Sequence, residues 1–584
     1  MGRHPVLAQK TRFQLEMRRA KWPGDMVSRD RSIQWLISAA TCLLVVTPLA
    51  PMLYQSLLDK PLYNDAALLT FANYGRLIHH PDLPSVLTNT LLYGLVSSGI
   101  AQVFGLTAAI LIGRTNLPWR GVFGDLFLWP LYISGLVLAF GWITMYGPSG
   151  FVTLSIEKVL GFRPWELYTI PGLSLVTGVS LAPLTFLYCI SSTRMQDPSL
   201  EDAARIGGAG PIRILLTINL PLLRPAIIFS TMMTFVIAIE SLAIPLLMGN
   251  PVGLQFFTTF LYTNGLERGT PDYGLVGAAA CLLLLMVSSL LLLQNYLLRR
   301  AERFVTVGGK ATRPRLLDLG RMKWIVVALF LAYLLLAIGP VAFGVTLRGF
   351  TVILSPYVPI SKALTLENFR LLLAHETYVR SIINTLAIAL IGGLIGAGFI
   401  TLLTLVIKRS NFGLRRQLEH VALFPRAVPG LLVGIGAFYA VALLPFLSPV
   451  RGTIWILIIV FIMRYIPTGY GAIAPALMQI GRDIDRSART VGADWWSTSM
   501  SILAPLIRPA TLACFALLFI QFLNEYSSAV FLFSPGSEVI GTTMLIFWAQ
   551  GSVGPVAALA IIQIVITTVF VLVARRLLGI RIYG

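Results

Sequence analysis

The chain has 584 residues, 56% of them hydrophobic and 12% charged, with a mean hydropathy of +0.79. Soluble domains carry about 25% charged residues, so this composition excludes a soluble globular protein and points to a polytopic membrane protein. Its long apolar runs suit helices crossing a hydrocarbon core of about 30 Å and not barrel strands of about ten alternating residues, and the net charge of +20 reads as the Lys/Arg excess of cytoplasmic loops rather than a nucleic-acid surface.

Residues 1–32 form a basic tail in which Phe13, Leu15, Met17 and Trp22 alternate with Arg12, Arg18, Arg19 and Lys21. It is either an interfacial helix on anionic lipid or a solvated arm, and no cleavable signal peptide is expected. The first half, 33–297, holds six predicted spans: Ile33–Leu53, Thr88–Ile112, Val122–Tyr146, Thr169–Ser192, Ala226–Met248 and Tyr273–Leu297. A basic linker, 298–323, follows. The second half, 324–584, holds Trp324–Thr346, Ile382–Ile407, Val421–Leu444, Thr453–Ile473, Ala510–Phe533 and Val553–Val573. With both termini inside, cytoplasmic segments carry 33 of the 45 Lys and Arg residues, the orientation that the charge bias favours. Cys42, Cys189, Cys281 and Cys514 all fall inside spans and read as small packing residues. His79–His80 in the first outer loop has no accompanying carboxylate or cysteine cluster, so no metal site is assigned.

The halves are copies. LTFANY (69–74) matches LTLENF (364–369), TNTL (88–91) matches INTL (383–386), RTN (114–116) matches RSN (409–411), and Pro130 and Gly135 match Pro425 and Gly430. Six spans per half give the copies the same orientation, related by a parallel pseudo-two-fold. The first half carries extra residues, placed in the outer loop 147–168. The fold class is therefore an all-α polytopic membrane protein of two tandem six-helix halves.

The most informative repeat is a polar loop between the fourth and fifth spans, 197–225 and again 481–509. Glu201, Ala204, Arg205, Gly208 and Ala209 pair with Asp485, Ala488, Arg489, Gly492 and Ala493, and both copies end in Pro-Leu-x-Arg-Pro. Ser199–Arg205 is predicted to be a short helix, capped by Ser199, carrying Glu201 and Asp202 in its first turn and ended by Gly207 and Gly208. Pro221 and Pro225 break the approach to the fifth span. A short helix held between two breaks can fit a groove on a soluble partner.

Within the spans, Glu240 has Asn524 as its repeat mate, beside Glu525. Acids in spans are costly and usually face a cavity or a partner. About 15 residues into its helix, each lies roughly 22 Å deep, which suits a cation pathway. The other reading is neutralisation by Arg426 or Arg464. Tyr526 and Ser527 add oxygen ligands, Arg426 in FPRAVPG suits an anion, and Pro425 and Pro429 free carbonyls or mark a plain kink.

This loop pattern resembles the EAA loop of importer-type ABC transporter permeases, and the resemblance covers the chain twice. It implies that the ten loop residues named above couple to a nucleotide-binding subunit. In the second loop Arg486 and Ser487 replace Asp202 and Ala203. The chain has no phosphate-binding G-x-x-x-x-G-K-[ST] motif; GGKAT at 308–312 lacks its first glycine. The resemblance therefore implies two ATPase copies in trans carrying ATP and Mg, no cofactor on this chain, and a periplasmic binding protein. It places the chain in a bacterial inner membrane, with no enzyme activity of its own and no nucleic-acid partner. A fused double permease resembles the ferric-iron group most, so the expected function is ATP-driven import of a small solute, ferric iron first. Thiamine, polyamine or an anion such as phosphonate are alternatives, and a major-facilitator-like secondary transporter is the alternative of a different class. Glu240, Asn524, Glu525, Tyr526 and Arg426 are the candidate pathway residues.

Overall fold

A computed structural model describes residues 23–267, 269–301 and 316–578. The basic tail up to Trp22 and most of the linker, including GGKAT, lie outside the described residues. Among those described, the secondary structure is helical, with only isolated β-bridges. Nine helices are long and apolar enough to span a membrane, or up to twelve when each bent pair counts as one span. The described chain divides into two compact units that do not follow the tandem halves. One joins the residues up to Val46 to Gly393–Arg426 and Tyr465–Leu518; the other holds Thr47–Gly392, Ala427–Arg464 and Phe519–Gly584.

The first, second, fourth and sixth spans of the first half are continuous helices: Pro23–Ser56, Leu83–Arg114, Ile170–Arg194 and Tyr273–Ala301. Leu83–Arg114 and Ile170–Arg194 lie backbone to backbone. A Cβ at Gly105 would overlap the Ala182 carbonyl, and one at Gly178 would lie 2.6 Å from Ile100 Cβ. Small residues at such crossings let membrane helices approach closely, where packing rather than water exclusion holds them.

The third and fifth spans depart from the sequence expectation. Val122–Tyr146 is not one helix but Arg120–Leu128, a tight turn Trp129–Tyr132 and Gly135–Tyr146. Its counterpart divides at the same repeat position, into Arg415–Leu423, Phe424–Ala427 and Gly430–Leu443. Different chemistry makes the same break. Ser134 Oγ accepts the Leu136 N–H at 3.4 Å to start the new helix, whereas Pro429 disfavours a helical conformation at Val428. The fifth spans stop early, Arg224–Glu240 at Glu240 and Arg508–Asn524 at Asn524. A largely buried connection, which in the first half includes the π-helix Pro245–Gly249, then leads to a second short helix in each half, Phe257–Tyr262 and Ile540–Ala549. Pro245 cannot donate to the Ser241 carbonyl four residues back and crowds it, which ends the first helix; no Pro or Gly follows Asn524 before Pro535. The extra outer residues of the first half form the helix Phe151–Leu160.

Gly105→Val should overpack the crossing with Ile170–Arg194, costing about 1–3 kcal/mol. The measurable result is a lower Tm in detergent and less folded protein recovered; an unchanged Tm would mean that the two helices can separate without loss.

Candidate functional site

Both polar loops are built alike. Pro198–Ile206 and Asp483–Thr490 are short helices. The first is capped by Asp197, whose carboxylate accepts the Ser199 N–H at 2.9 Å, and not by Ser199 as the sequence suggested. That bond and the Ser199 hydroxyl hold the Asp197 carboxyl below its usual range. Each helix ends in a left-handed glycine, Gly208 at φ 79° and Gly492 at φ 84°. The Ala209 N–H reaches Ala204 O at 2.9 Å and the Ala493 N–H reaches Ala488 O at 3.0 Å. This closing turn explains the Gly-Ala step of the repeat, because a side chain at that φ costs about 1–2 kcal/mol. At each tip an apolar side chain stands in the open, Ile206 at 89% exposure and Val491 at 83%.

Glu201 turns inward instead of serving its own helix end. It is 2% exposed and forms a close ion pair with Arg114, the last residue of the second span. Asn219 Nδ2 donates to the same carboxylate at 3.2 Å and Arg205 Nη2 at 3.4 Å. Arg205 also pairs with Asp202 at 3.2 Å. In the second half the repeat mates do the same: Arg409 meets Asp485 at 2.7 Å and donates closely to the Leu477 and Ile480 carbonyls. The RTN/RSN repeat and the Glu201/Asp485 repeat are thus two sides of one bond. Arg489, mate of Arg205, is exposed, whereas Ala488 is buried. Asp30, from the first span, accepts the Trp495 and Trp496 N–H groups at 2.8 and 3.3 Å, bracing the chain just past the helix Asp483–Thr490. Nothing in the sequence pattern marked Asp30.

A second cluster sits at the stops of the fifth spans. Arg464 Nη1 donates to Glu525 Oε1 at 2.8 Å and to Ser527 Oγ at 2.7 Å. Ser528 donates its N–H to the same oxygen at 3.0 Å and its hydroxyl at 2.9 Å. Arg464 has room because Gly430, at the break of the third span, has no side chain; a Cβ there would overlap the guanidinium. Glu240 is half-buried and within electrostatic reach of Arg464 and Glu525, and among the described residues its carboxylate accepts no hydrogen bond. Asn524 Nδ2 donates to the Tyr132 carbonyl at 3.2 Å, a carbonyl at the break of the other third span. Tyr526 is buried beside Glu525. Arg426 is exposed in the turn Phe424–Ala427, before the Pro429 break. His79 hydrogen-bonds Gly75 O and the His80 ring meets Phe260 edge-on; no three metal-ligating side chains converge among the described residues.

Tandem membrane halves, each with the same anchored polar loop and an interrupted span lined by charge, fit a two-half permease. The family model for the binding-protein-dependent transport system inner membrane component matches residues 83–303 and 400–578, and the chain belongs to that family. It is a multi-pass inner-membrane permease subunit of the ABC transporter class, a transport component and not an enzyme, and it works with a binding protein. This membership sets aside the major-facilitator alternative. The chain is 25% identical over 504 residues to the ferric transport system permease protein FbpB of Actinobacillus pleuropneumoniae, covering 85% of this chain and 71% of that protein. It is 25% identical over 569 residues to a probable ABC transporter permease protein, y4fN, of Sinorhizobium fredii, covering 94% and 97%. A solved bacterial ABC transporter that imports the acidic polysaccharide alginate matches 44% of this chain and 96% of that one at 20% identity, with a TM-score of 0.37.

Removing one partner of a buried ion pair strands the other charge and costs about 3–5 kcal/mol. Glu201→Gln should therefore lower the Tm more than Asp485→Asn, because the Asp485 side chain keeps 14% exposure against 3% for Glu201. Equal shifts would contradict this ranking. Gly430→Ala should expel Arg464 from its place and lower the Tm about as much as Arg464→Ala; a wild-type Tm for Gly430→Ala would contradict it.

Proposed function

We propose that this chain is the fused membrane subunit of an importer in which two copies of a separate ATPase dock on the helices Pro198–Ile206 and Asp483–Thr490. ATP and Mg act on those partners. The observation that carries the reading is that the two loops share one construction: a carboxylate anchored by an arginine at the end of the second span, a left-handed glycine, and an exposed apolar tip. A polar loop that presents an apolar tip on a pinned helix suits a groove on a soluble protein. Closure of the ATPase pair would move both helices and shift the permease between outward- and inward-open states. The charge bias puts both loops and both termini on the cytoplasmic side, with the binding protein delivering solute from outside.

The solute we propose is ferric iron. Two carboxylates, Glu240 and Glu525, face one guanidinium, Arg464, so the cluster keeps an excess negative charge when both acids are ionised. The Arg224–Glu240 helix ends at this cluster, and the C-terminal end of a helix dipole favours cations. Tyr526 and the serines offer further oxygen. The relatedness to a ferric transport permease supports the same choice. The exposed Arg426 is the residue that an anionic solute would use.

Proteoliposomes holding the chain, its ATPase and its binding protein should take up labelled ferric iron only with ATP inside the system. Glu240→Gln should lower that uptake at least about tenfold, the effect of losing roughly 1.4 kcal/mol of cation interaction, while ATP hydrolysis continues. Full iron uptake by Glu240→Gln would make Glu240 structural; uptake of thiamine or a phosphonate in place of iron would overturn the solute. Gly208→Asp and Gly492→Asp should each leave the protein inserted yet abolish ATPase retention on that half, and normal uptake in both would remove the docking claim.

A further inference from the structure

We infer that the Leu83–Arg114 helix is a strut that carries movement of the first coupling helix to the outer chain behind Glu240. The inference rests on the coupling-loop reading above. At its inner end, Arg114 grips Glu201 and donates to the Gln196 carbonyl at 3.4 Å, so both the coupling helix and the chain entering it hang on one side chain. At its outer end, Thr90 Oγ1 accepts the N–H of Phe257 at 2.8 Å, and Asn89 Nδ2 donates to the Gln255 carbonyl at 3.1 Å. Phe257 opens the helix Phe257–Tyr262, and within it Thr258 Oγ1 donates to the carbonyl of Ser241 at 2.9 Å. Ser241 directly follows Glu240. A continuous set of bonds therefore runs from Glu201 through Arg114, along one helix to Thr90, and through Phe257 and Thr258 to the residue beside Glu240.

The helix between those ends is suited to the task. From Thr90 to Arg114 it extends roughly 36 Å at 1.5 Å per residue, more than the hydrocarbon thickness. Its one proline, Pro84, sits in the first turn, where it does not kink, whereas Ile170–Arg194 has Pro183 inside it. The repeat supplies an independent copy of each joint. Thr385 Oγ1 accepts the Ile540 N–H at 2.9 Å, and Asn384 Nδ2 donates to the Gly536 and Glu538 carbonyls at 3.0 Å each, while Arg409 holds Asp485. The TNTL and RTN motifs are the two ends of this element in the first half, and INTL and RSN mark the matching joints of the second.

The test uses the full chain with its ATPase in nanodiscs and reads hydrogen exchange of residues 253–262 with and without trapped ATP. Wild type should change exchange there by about fivefold or more, the size of an ordinary coupling free energy. Thr90→Val, which keeps the side-chain shape but removes the acceptor, should bind and hydrolyse ATP through its partner as before and lose most of that ATP-dependent change. Thr90→Ser should restore it. Arg114→Gln should lose it too, and the double variant should be no worse than the worse single one. A wild-type change in Thr90→Val, or multiplicative losses in the double variant, would overturn the strut with the ATPase still bound. Failure of the wild-type chain to retain its ATPase would instead overturn the coupling reading itself.

Discussion

A guanidinium held out of water at the end of a membrane helix is stable only with a carboxylate against it, and in this protein that carboxylate belongs to the loop beyond the fourth span. Arg114 is 1% exposed, and Glu201 meets it; Arg409 and Asp485 repeat the bond. The pair does more than fix a loop. It ties the end of the second span to the short helix of the loop, Pro198–Ile206 in the first half and Asp483–Thr490 in the second. The left-handed glycines then stop each short helix just beyond its anchor, and the chain turns back with its apolar tip outward. Further along the first loop the chain bends by 63° between Leu215–Leu222 and Arg224–Glu240, where Pro221 and Pro225 break the helix.

The second constraint is that backbone groups inside a bilayer must be satisfied by protein. Interrupted spans meet it with side chains from elsewhere in the chain. The Tyr132 carbonyl is taken by Asn524, the Leu523 carbonyl by Gln563, and the turn after Glu525 by that residue's own carboxylate. These interruptions are what allow charge to sit at depth. Gly430 leaves the space that Arg464 fills, and Arg464 in turn neutralises Glu525 while Glu240 remains as the second acid. The halves contribute unequally: the mates of Glu240, Ser241 and Ser180 are Asn524, Glu525 and Arg464. A pseudo-symmetric frame thus encloses an asymmetric polar centre.

Much of this was legible in the sequence. Span number, the tandem halves and the two loops followed from hydropathy and self-similarity, and the short helix expected at Ser199–Arg205 is Pro198–Ile206. The repeats RTN/RSN and TNTL/INTL were visible, but not their partners, because Arg114 bonds a residue 87 positions away and Thr90 one 167 away. Periodicity carries no information at such separations. The stops at Glu240 and Asn524 were hidden for different reasons: Pro245, which cannot donate to the Ser241 carbonyl and crowds it, is of a kind that membrane helices tolerate, whereas the apolar run continues past Asn524 without Pro or Gly and Gln563 takes the Leu523 carbonyl there. The cap on the helix Pro198–Ile206 was missed by two residues because Asp197 and Ser199 have similar capping chemistry.

The account stands or falls on both coupling helices engaging an ATPase. The most direct measurement places a cysteine at Ile206 or at Val491 and cross-links it, in membranes, to the cognate ATPase subunit with a short bifunctional reagent. The account predicts that each position, tested alone, captures an ATPase copy, and that nucleotide changes the yield at both. Capture from neither position, in membranes where the complex is otherwise intact, would contradict it.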